Sequence, residues 1–272
     1  MDLLNIELAS SYPRVSHHIE EIIKVITGLI NKGYAYQIGG DVYFEVDRFR
    51  RYKRLSGRPD EVRLAGARVK VDPRKKNPSG LALWKETKEG EPFWKSPWGK
   101  GRPGWHIECS VISMEYLRPT FDIHGGGIDL IFPHHENEIA QPEAYTGGQM
   151  AKYWIHNGFV MINKDKMSKS LGNITSIKKL LNRYPAEVIR FFLLRTHYRS
   201  SIDFIVEDLD QAQRGIERFY NTLEDIDWEL GSSKEDQVIP TSHPRIDQHR
   251  KRFQSAMDDD LNTPRPWPAS TI

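Results

Sequence analysis

The sequence is poor in cysteine: its 272 residues include a single one, Cys109. A disulfide within the chain is therefore impossible, and a reducing cytoplasm is the expected compartment. The sequence also has no apolar run near the ~18 residues that a membrane-spanning helix needs. Its first residues, MDLLNIELASS, contain no basic segment followed by an apolar core, so no secretory signal is predicted. We therefore expect a cytoplasmic protein with no membrane partner.

Neither sign of charge is in large excess, because 39 lysines and arginines face 37 aspartates and glutamates and leave a net charge of +2. The total charge alone does not indicate a nucleic-acid-binding protein. Basic residues are nevertheless concentrated between Arg48 and Lys76, where few acidic residues interrupt them. Such a stripe suits contact with phosphates, and it equally suits a solvated surface arm. Both interpretations stay open at this point.

Strand and helix patterns alternate in the first part of the chain. Apolar residues at helical spacing predict a helix over residues 19–30, with Ser16 as its N-cap and Gly33 as its stop. Alternating residues on both sides of Gly39-Gly40 predict a β-hairpin. Residues 48–80 lack clear periodicity and are expected to form an irregular arm. The tryptophan-containing segment 84–105 is expected to be rich in loops.

A strand, a glycine loop and a helix follow in order. FDIH (121–124) predicts a short strand, a glycine triplet comes next, and Pro133 suits the first turn of a helix. This α/β unit places ligands at the ends of strands. The glycines do not form GxGxxG, so a dinucleotide site is not indicated. Further along, we predict a strand in WIHNGFVMI and then mainly helices, which begin at Pro185, near residue 209 and near Arg245, with a linker at 231–244.

The stretch FPHHENEIAQ (132–141) concentrates histidines and acids. His134 and Glu138 are four residues apart and share one helix face, while His135 and Glu138 are three apart and also converge. Imidazole, carboxylate and the thiolate of Cys109 are donors that suit zinc. These three donors leave a tetrahedral site one ligand short, and this sequence has no second cysteine. The residues alone also allow ordinary surface histidines.

KMSKS, residues 166–170, places two lysines three apart after a predicted strand and turn. Lysines on such a loop can hold a polyphosphate and act most strongly as negative charge builds on a leaving pyrophosphate. The ordered string, followed by LGN, is a specific pattern.

Taken together, these motifs resemble the cysteinyl-tRNA synthetases, a family of class I aminoacyl-tRNA synthetases. KMSKSLGN resembles the class, and GWHIECS, GDVYFEV, THYRSSIDF and FDIHGGGIDLIFPHHENEIAQ resemble its cysteine member. The likeness runs from about Asp2 to Thr263. It implies an α/β fold: the second half of a Rossmann-like nucleotide fold with an inserted connective domain, followed by the start of an α-helical bundle. The implied parts are a connection (1–18), the connective domain (19–95), the second catalytic half (96–148), a KMSKS-bearing junction domain (149–208) and the truncated bundle (209–272).

The resemblance implies a cysteine–tRNA ligase, which uses ATP with Mg²⁺ to form cysteinyl-adenylate and transfers cysteine to tRNA(Cys). Zn²⁺ binds the substrate thiolate, and the full-length protein is expected to be a monomer. The implied zinc ligands in this sequence are Cys109, His134 and Glu138. Trp105 is expected to wall the amino-acid pocket. The residues expected at the adenylate and its phosphates are His124, Gly125, Gly126, Asp129, Lys166 and Lys169, the two lysines also acting in catalysis.

The sequence departs from the family in two places. It contains neither the HIGH motif nor a second cysteine, so we expect the remaining zinc ligand to lie outside this sequence and the chain by itself to be inactive and to retain zinc weakly. After DDDLNTP, the segment RPWPASTI replaces a helix of the family, and its prolines oppose helix formation. We hypothesise a frameshift near Arg265. Resequencing the gene tests this, since an unbroken frame with no synthetase frame beyond it contradicts the hypothesis.

Two other functions stay open. The ligase that joins cysteine to an amino sugar in mycothiol synthesis shares zinc and KMSKS, although Asn137-Glu138 after HHE favours the tRNA enzyme. The second alternative is a non-catalytic, tRNA-binding paralogue that has lost the ability to activate an amino acid. An intact KMSKS and three retained metal ligands weigh against it.

Overall fold

The computed structural model describes residues 2–57, 75–76, 80–162, 165–166, 175–232 and 243–266. The chain divides into two compact units, Ser11–Ile155 and Met1–Ser10 with His156–Ile272. Each unit has a hydrophobic core of its own. The predicted domain boundaries after residues 18, 95, 148 and 208 stay predictions. Most of the basic arm and residues 267–272 of the RPWPASTI segment lie outside the described residues.

The unit Ser11–Ile155 combines a five-stranded sheet with three helices. The sheet has the order β1-β2-β3-β5-β4, and every neighbouring pair in it is antiparallel. A separate pair joins β6 to β7, whose last residues extend beyond this unit. The elements are α1 (Ile19–Asn31), β1 (Ala35–Ile38), β2 (Asp41–Phe44), β3 (Leu81–Glu86), β4 (Trp94–Ser96), β5 (Gly99–Pro103), α2 (Trp105–Leu117), β6 (Phe121–Gly127), α3 (Glu136–Thr146) and β7 (Ala151–Asn157).

The first helix and the hairpin confirm the predictions from periodicity. α1 buries Ile22, Ile26 and Leu29 on one face, each with 0% exposure, as residues at this spacing do. It ends before Gly33, whose φ of +76° suits glycine. The N-cap is His18 rather than Ser16, because a 3-10 turn over Val15–His17 precedes the helix.

The tryptophan-containing segment differs from the prediction of a loop-rich region, because it forms β3, β4 and β5. Trp84 is fully buried in the core. A Cβ at Gly101 of the neighbouring strand would lie 2.3 Å from Trp84 Nε1, so glycine lets the two strands close over the indole. Glycine and proline, which are typical of loops in a sequence, are here residues of β5, and Gly101 leaves space for a large ring.

The second unit contains a small sheet and helices. β8 (Val160–Ile162) pairs in parallel with β10 (Ile202–Asp203) and antiparallel with β9 (Asp165–Lys166). The helices are α4 (Ile177–Leu180), α5 (Ala186–Leu194), α6 (Val206–Ser232) and α7 (Pro244–Asp258). Their positions confirm the helices predicted after Pro185, near 209 and near Arg245.

The described residues contain both strands and helices, as the predicted α/β class requires. None of the described helices combines the length and the apolar character required to cross a membrane.

Candidate metal centre

Strand β6 ends in the glycine triplet, which continues the strand instead of forming the predicted loop. A Cβ at Gly126 would lie 2.8 Å from Cε1 and 3.0 Å from Nε2 of His135. The His135 ring thus occupies the space that any other side chain at position 126 would need. Glycine at this position lets the imidazole pack directly on the strand.

The connection from β6 to α3 directs two neighbouring histidines to different partners. It consists of a 3-10 turn, Ile128–Leu130, and a kinked turn, Ile131–His135, in which Phe132 is extended with φ −135° and ψ 129°. His135 is 3% exposed, and its ring centroid lies 4.7 Å from that of His124. His134 instead packs on Trp105, with the ring centroids 4.4 Å apart.

Glu138, on the first turn of α3, is the residue around which the candidate metal donors gather. Its Oε2 lies 3.1 Å from Nε2 of His124. Among the described residues, one group of three such side chains has its ligand atoms all within 4.8 Å of one another: His124, His135 and Glu138. The Cys109 thiol also forms a hydrogen bond to the Glu138 carboxylate. Imidazole nitrogen, carboxylate oxygen and sulfur are the donors that zinc takes in proteins, so these residues fit that metal.

The structure brings two of the three predicted zinc ligands, Cys109 and Glu138, into contact. His134, the third, lies outside the group of three. Its Nδ1 is 2.8 Å from Nε2 of His106, which is one turn before Cys109 on α2. The predicted ligand set therefore stays a prediction, and His124 and His135 are further donors beside Glu138.

Two pKa values in this region move away from their usual range. Burial, and then the neighbouring His134, lowers the pKa of His106 to about 4. Burial, and then the Glu138 and Glu108 carboxylates, raises the pKa of the Cys109 thiol to about 12, although part of the residue is exposed to solvent. A bound cation has the opposite effect on a thiol, because its charge favours the thiolate.

Two further carboxylates of α3, those of Glu136 and Glu143, are buried and contact the segment 51–57. Glu136 is 0% exposed, and its carboxylate accepts the backbone N–H groups of Lys53 at 2.9 Å and Ser56 at 2.7 Å. Glu143 forms ion pairs with Arg51 and Arg54 at 3.5 and 3.2 Å. The carboxylates of this helix therefore hold the described beginning of the basic arm.

The residues predicted at the adenylate are distributed over both units. His124, Gly125 and Gly126 lie on β6, and Asp129 lies in the 3-10 turn that follows. Lys166 pairs through its backbone in β9, and its side chain lies outside what the structure describes, as does Lys169. Their phosphate-binding role remains a prediction.

Sequence reasoning missed three residues of this region. His106 had a usable signal, because it precedes Cys109 by three residues and a helix places both on one face. His135 was considered as a partner of Glu138 but not chosen. Asn137 had no local signal, since its hydrogen-bond partners, Tyr52 and His106, are distant in the sequence.

Comparison with known families identifies the class of this protein as the class I tRNA synthetases. The family model described as "tRNA synthetases class I (C) catalytic domain" matches residues 1–214, and the chain belongs to this family. The resemblance predicted from the motifs is thereby confirmed.

Curated relatives of the chain are cysteine–tRNA ligases. The chain is 53% identical over 274 residues to a cysteine–tRNA ligase of Geotalea daltonii, covering 97% of this chain and 56% of the relative. It is 54% identical over 266 residues to that of Geobacter metallireducens, covering 97% and 55%. The chain thus spans little more than half the length of these curated relatives.

A solved structure from Campylobacter jejuni, assigned as an arginyl-tRNA synthetase, shares the fold. Its TM-score is 0.59 at 11% identity, covering 96% of this chain and 54% of that one.

Proposed function

We propose that this chain supplies catalytic-domain residues of a cysteine–tRNA ligase. The activity is ATP-dependent formation of cysteinyl-adenylate and transfer of cysteine to tRNA(Cys), in the cytoplasm. The observation that carries the proposal is the contact of Cys109 with Glu138 inside a group of histidines, beside the exposed ring of Trp105. The names of the relatives support the same substrates.

Within this site we propose that Cys109, His134 and Glu138 hold a zinc ion. His135 is the less suitable histidine, because it is 3% exposed and packs against Gly126. His134 instead contacts Trp105, which is 62% exposed and is the residue expected to wall the amino-acid pocket. A zinc ion bound there supplies a soft Lewis acid for the substrate thiolate, which separates cysteine from serine by the preference of zinc for sulfur.

The chain's own side chains prepare this site for cysteine. Trp105 offers an aromatic wall next to His134. His124 contacts the Glu138 carboxylate at 3.1 Å and restricts its orientation. Lys166 and Lys169 are proposed to bind the phosphates of ATP and to stabilise the charge of the leaving pyrophosphate.

The zinc affinity of histidine variants tests the ligand assignment. His134→Ala is expected to lower zinc affinity strongly, whereas His135→Ala is expected to retain zinc and to lose stability through its vacated, buried space. His17→Ala, an exposed histidine of the same unit, is the matched control. Because this chain is expected to retain zinc weakly, the zinc affinity of each variant is measured by competition with a chromophoric chelator. Zinc lost from His135→Ala and kept in His134→Ala would reverse the assignment.

The activity of the 272-residue chain tests the role of the motif that its sequence lacks. Because the sequence contains no HIGH motif, we propose that this chain alone does not form cysteinyl-adenylate. The assay is cysteine-dependent exchange of pyrophosphate into ATP, with the cysteine–tRNA ligase of Geobacter metallireducens as the positive control. Exchange that depends on cysteine and is abolished by Lys169→Ala would contradict this part of the proposal.

A further inference from the structure

A line of hydrogen bonds runs from the segment 51–57 to the proposed metal ligand His134. The Tyr52 hydroxyl donates to Oδ1 of Asn137 at 2.5 Å. Nδ2 of the same amide lies 3.4 Å from Nε2 of His106. That nitrogen is in turn 2.8 Å from Nδ1 of His134. Two side chains, Asn137 and His106, thus connect Tyr52 with the ring of His134 through three hydrogen bonds.

The distance between Tyr52 and Asn137 decides which way the amide points. Hydrogen bonds between two oxygens reach 2.5 Å, whereas N–H···O bonds have donor–acceptor distances of about 2.7–3.2 Å. The 2.5 Å separation therefore places the Asn137 oxygen, and not its nitrogen, toward Tyr52. The amide N–H group is then left facing His106. Asn137 is 1% exposed, so water does not compete for either end.

The orientation of the amide determines the proton positions on both histidines. Nε2 of His106 lies 3.4 Å from the amide nitrogen of Asn137, whose N–H group opposes a proton on that ring nitrogen, so Nε2 acts as an acceptor with its single lone pair. The bond of 2.8 Å between the two rings then requires that His134 donates from Nδ1. In this tautomer the Nε2 atom of His134 carries the lone pair that a metal ion takes.

We propose that Tyr52, Asn137 and His106 are positioning residues that hold His134 in its Nδ1–H tautomer and direct its Nε2 to the metal. The inference rests on the proposed function, since it assigns a purpose to the tautomer only if His134 binds zinc. Hydrogen bonds of this kind to the second nitrogen of a histidine ligand are known to fix its ring and to raise metal affinity. Here the acceptor is another histidine, His106, and Asn137 determines which nitrogen of that ring carries the proton.

The link also connects the metal site with the described beginning of the basic arm. Tyr52 lies between Arg51 and Lys53, and both of these residues contact α3. Arg51 forms an ion pair with Glu143, and the backbone N–H of Lys53 donates to Glu136. Displacement of this segment is expected to move the hydroxyl away from Asn137 and to release the amide.

Nitrogen NMR on the metal-free, ¹⁵N-labelled chain tests the tautomer directly. Long-range proton–nitrogen spectra distinguish Nδ1–H from Nε2–H, and His134→Ala identifies the signals of His134. We expect Nδ1–H in the wild type. Asn137→Asp replaces the donor by a carboxylate that attracts a proton to His106, so His134 is expected to lose this tautomer. Tyr52→Phe is the milder variant, in which the amide is free to turn, and a mixture of tautomers is expected.

Zinc affinity is the second measurement, by competition with a chromophoric chelator. Asn137→Asp is expected to bind zinc at least about tenfold more weakly than the wild type, which is within the range known for partners of metal ligands. Tyr52→Phe is expected to lose less zinc affinity. Tyr116→Phe is the matched control, because its hydroxyl bonds to His18 of the same unit instead.

Three results would overturn the inference: an Nε2–H tautomer in the wild type, a tautomer that both variants leave unchanged, or a changed tautomer with no loss of zinc affinity. If the wild type shows Nδ1–H on His134 but binds no zinc, the proposed metal site fails and the tautomer assignment is supported. The two hypotheses are therefore distinguished by separate measurements.

Discussion

Replacing Glu136 by glutamine is expected to loosen the segment 51–57 from α3. The Glu136 carboxylate is fully buried and accepts two backbone N–H groups, from Lys53 at 2.9 Å and from Ser56 at 2.7 Å. Glutamine has nearly the same shape but only one side-chain oxygen. One of the two N–H groups must then face the amide nitrogen, which is itself a donor.

The magnitude follows from the two bonds. Leaving a buried donor without an acceptor costs about 1–3 kcal/mol, and replacing a charged acceptor by a neutral one weakens the retained bond by about 1 kcal/mol. Relief from burying a charged group offsets part of this loss. We expect a net loss of about 2 kcal/mol, which corresponds to a roughly 30-fold change in the equilibrium for local opening.

Hydrogen exchange measures this equilibrium at the two amides themselves. In Glu136→Gln, the amides of Lys53 and Ser56 should exchange roughly 30-fold faster than in the wild type, if exchange follows local opening. Glu20→Gln, an exposed glutamate on α1 of the same unit, should leave both rates unchanged. Equal exchange rates in Glu136→Gln and the wild type would refute the reasoning that the carboxylate holds this segment.

Three further changes give distinct expected results. Gly126→Ala adds a methyl group 2.8 Å from Cε1 of His135, so the ring must shift, and urea unfolding should show a loss of about 1–3 kcal/mol; an unchanged midpoint would contradict the close packing. Trp105→Ala should change stability by less than about 0.5 kcal/mol because the ring is 62% exposed, while calorimetry of the zinc-loaded chain should show weaker cysteine binding; unchanged affinity would argue against its role as a pocket wall. For Asp41, burial opposes ionisation, but hydrogen bonds led by that from Lys85 outweigh it and lower the pKa below its usual 3.8. A lowered pKa contributes stability above pH 3.8 that is lost as pH falls through the folded value, so Asp41→Asn should be less stable than wild type at pH 7 and approach it below pH 3.8; a constant difference would refute this.

Elements with one apolar face could be predicted from the sequence. The spacing of isoleucines indicated α1, and alternation around two glycines indicated the hairpin of β1 and β2. The strands β3 to β5 could not be predicted in this way, because their glycines and prolines are typical of loops. One of them, Gly101, is required by the volume of Trp84, which belongs to a neighbouring strand and is therefore not visible in local sequence patterns.

The residue types of the candidate site could be predicted from the sequence, but the directions of their side chains could not. Helical spacing allows both His134 and His135 to meet Glu138, since i,i+3 and i,i+4 positions both share a face. His134 and His135 lie in the kinked turn before α3 and not in the helix itself, and one ring packs on Trp105 while the other lies toward His124. A residue count along an ideal helix does not contain that turn.

Nearly all of α3 is buried, although its sequence is polar. A helix without an apolar face is normally solvated or unstable. Here each polar position meets a different partner: Glu136 binds the backbone of segment 51–57, Asn137 binds Tyr52, and Glu138 contacts His124 and Cys109. Partners supplied from distant parts of one unit offset the cost of burying these groups, since a buried polar group is tolerated when it is hydrogen-bonded. The helix α3 therefore contacts both the proposed metal centre and the start of the basic arm. Because the residues that make these contacts are neighbours in the sequence, a substitution at one of the two sites is expected to affect the other.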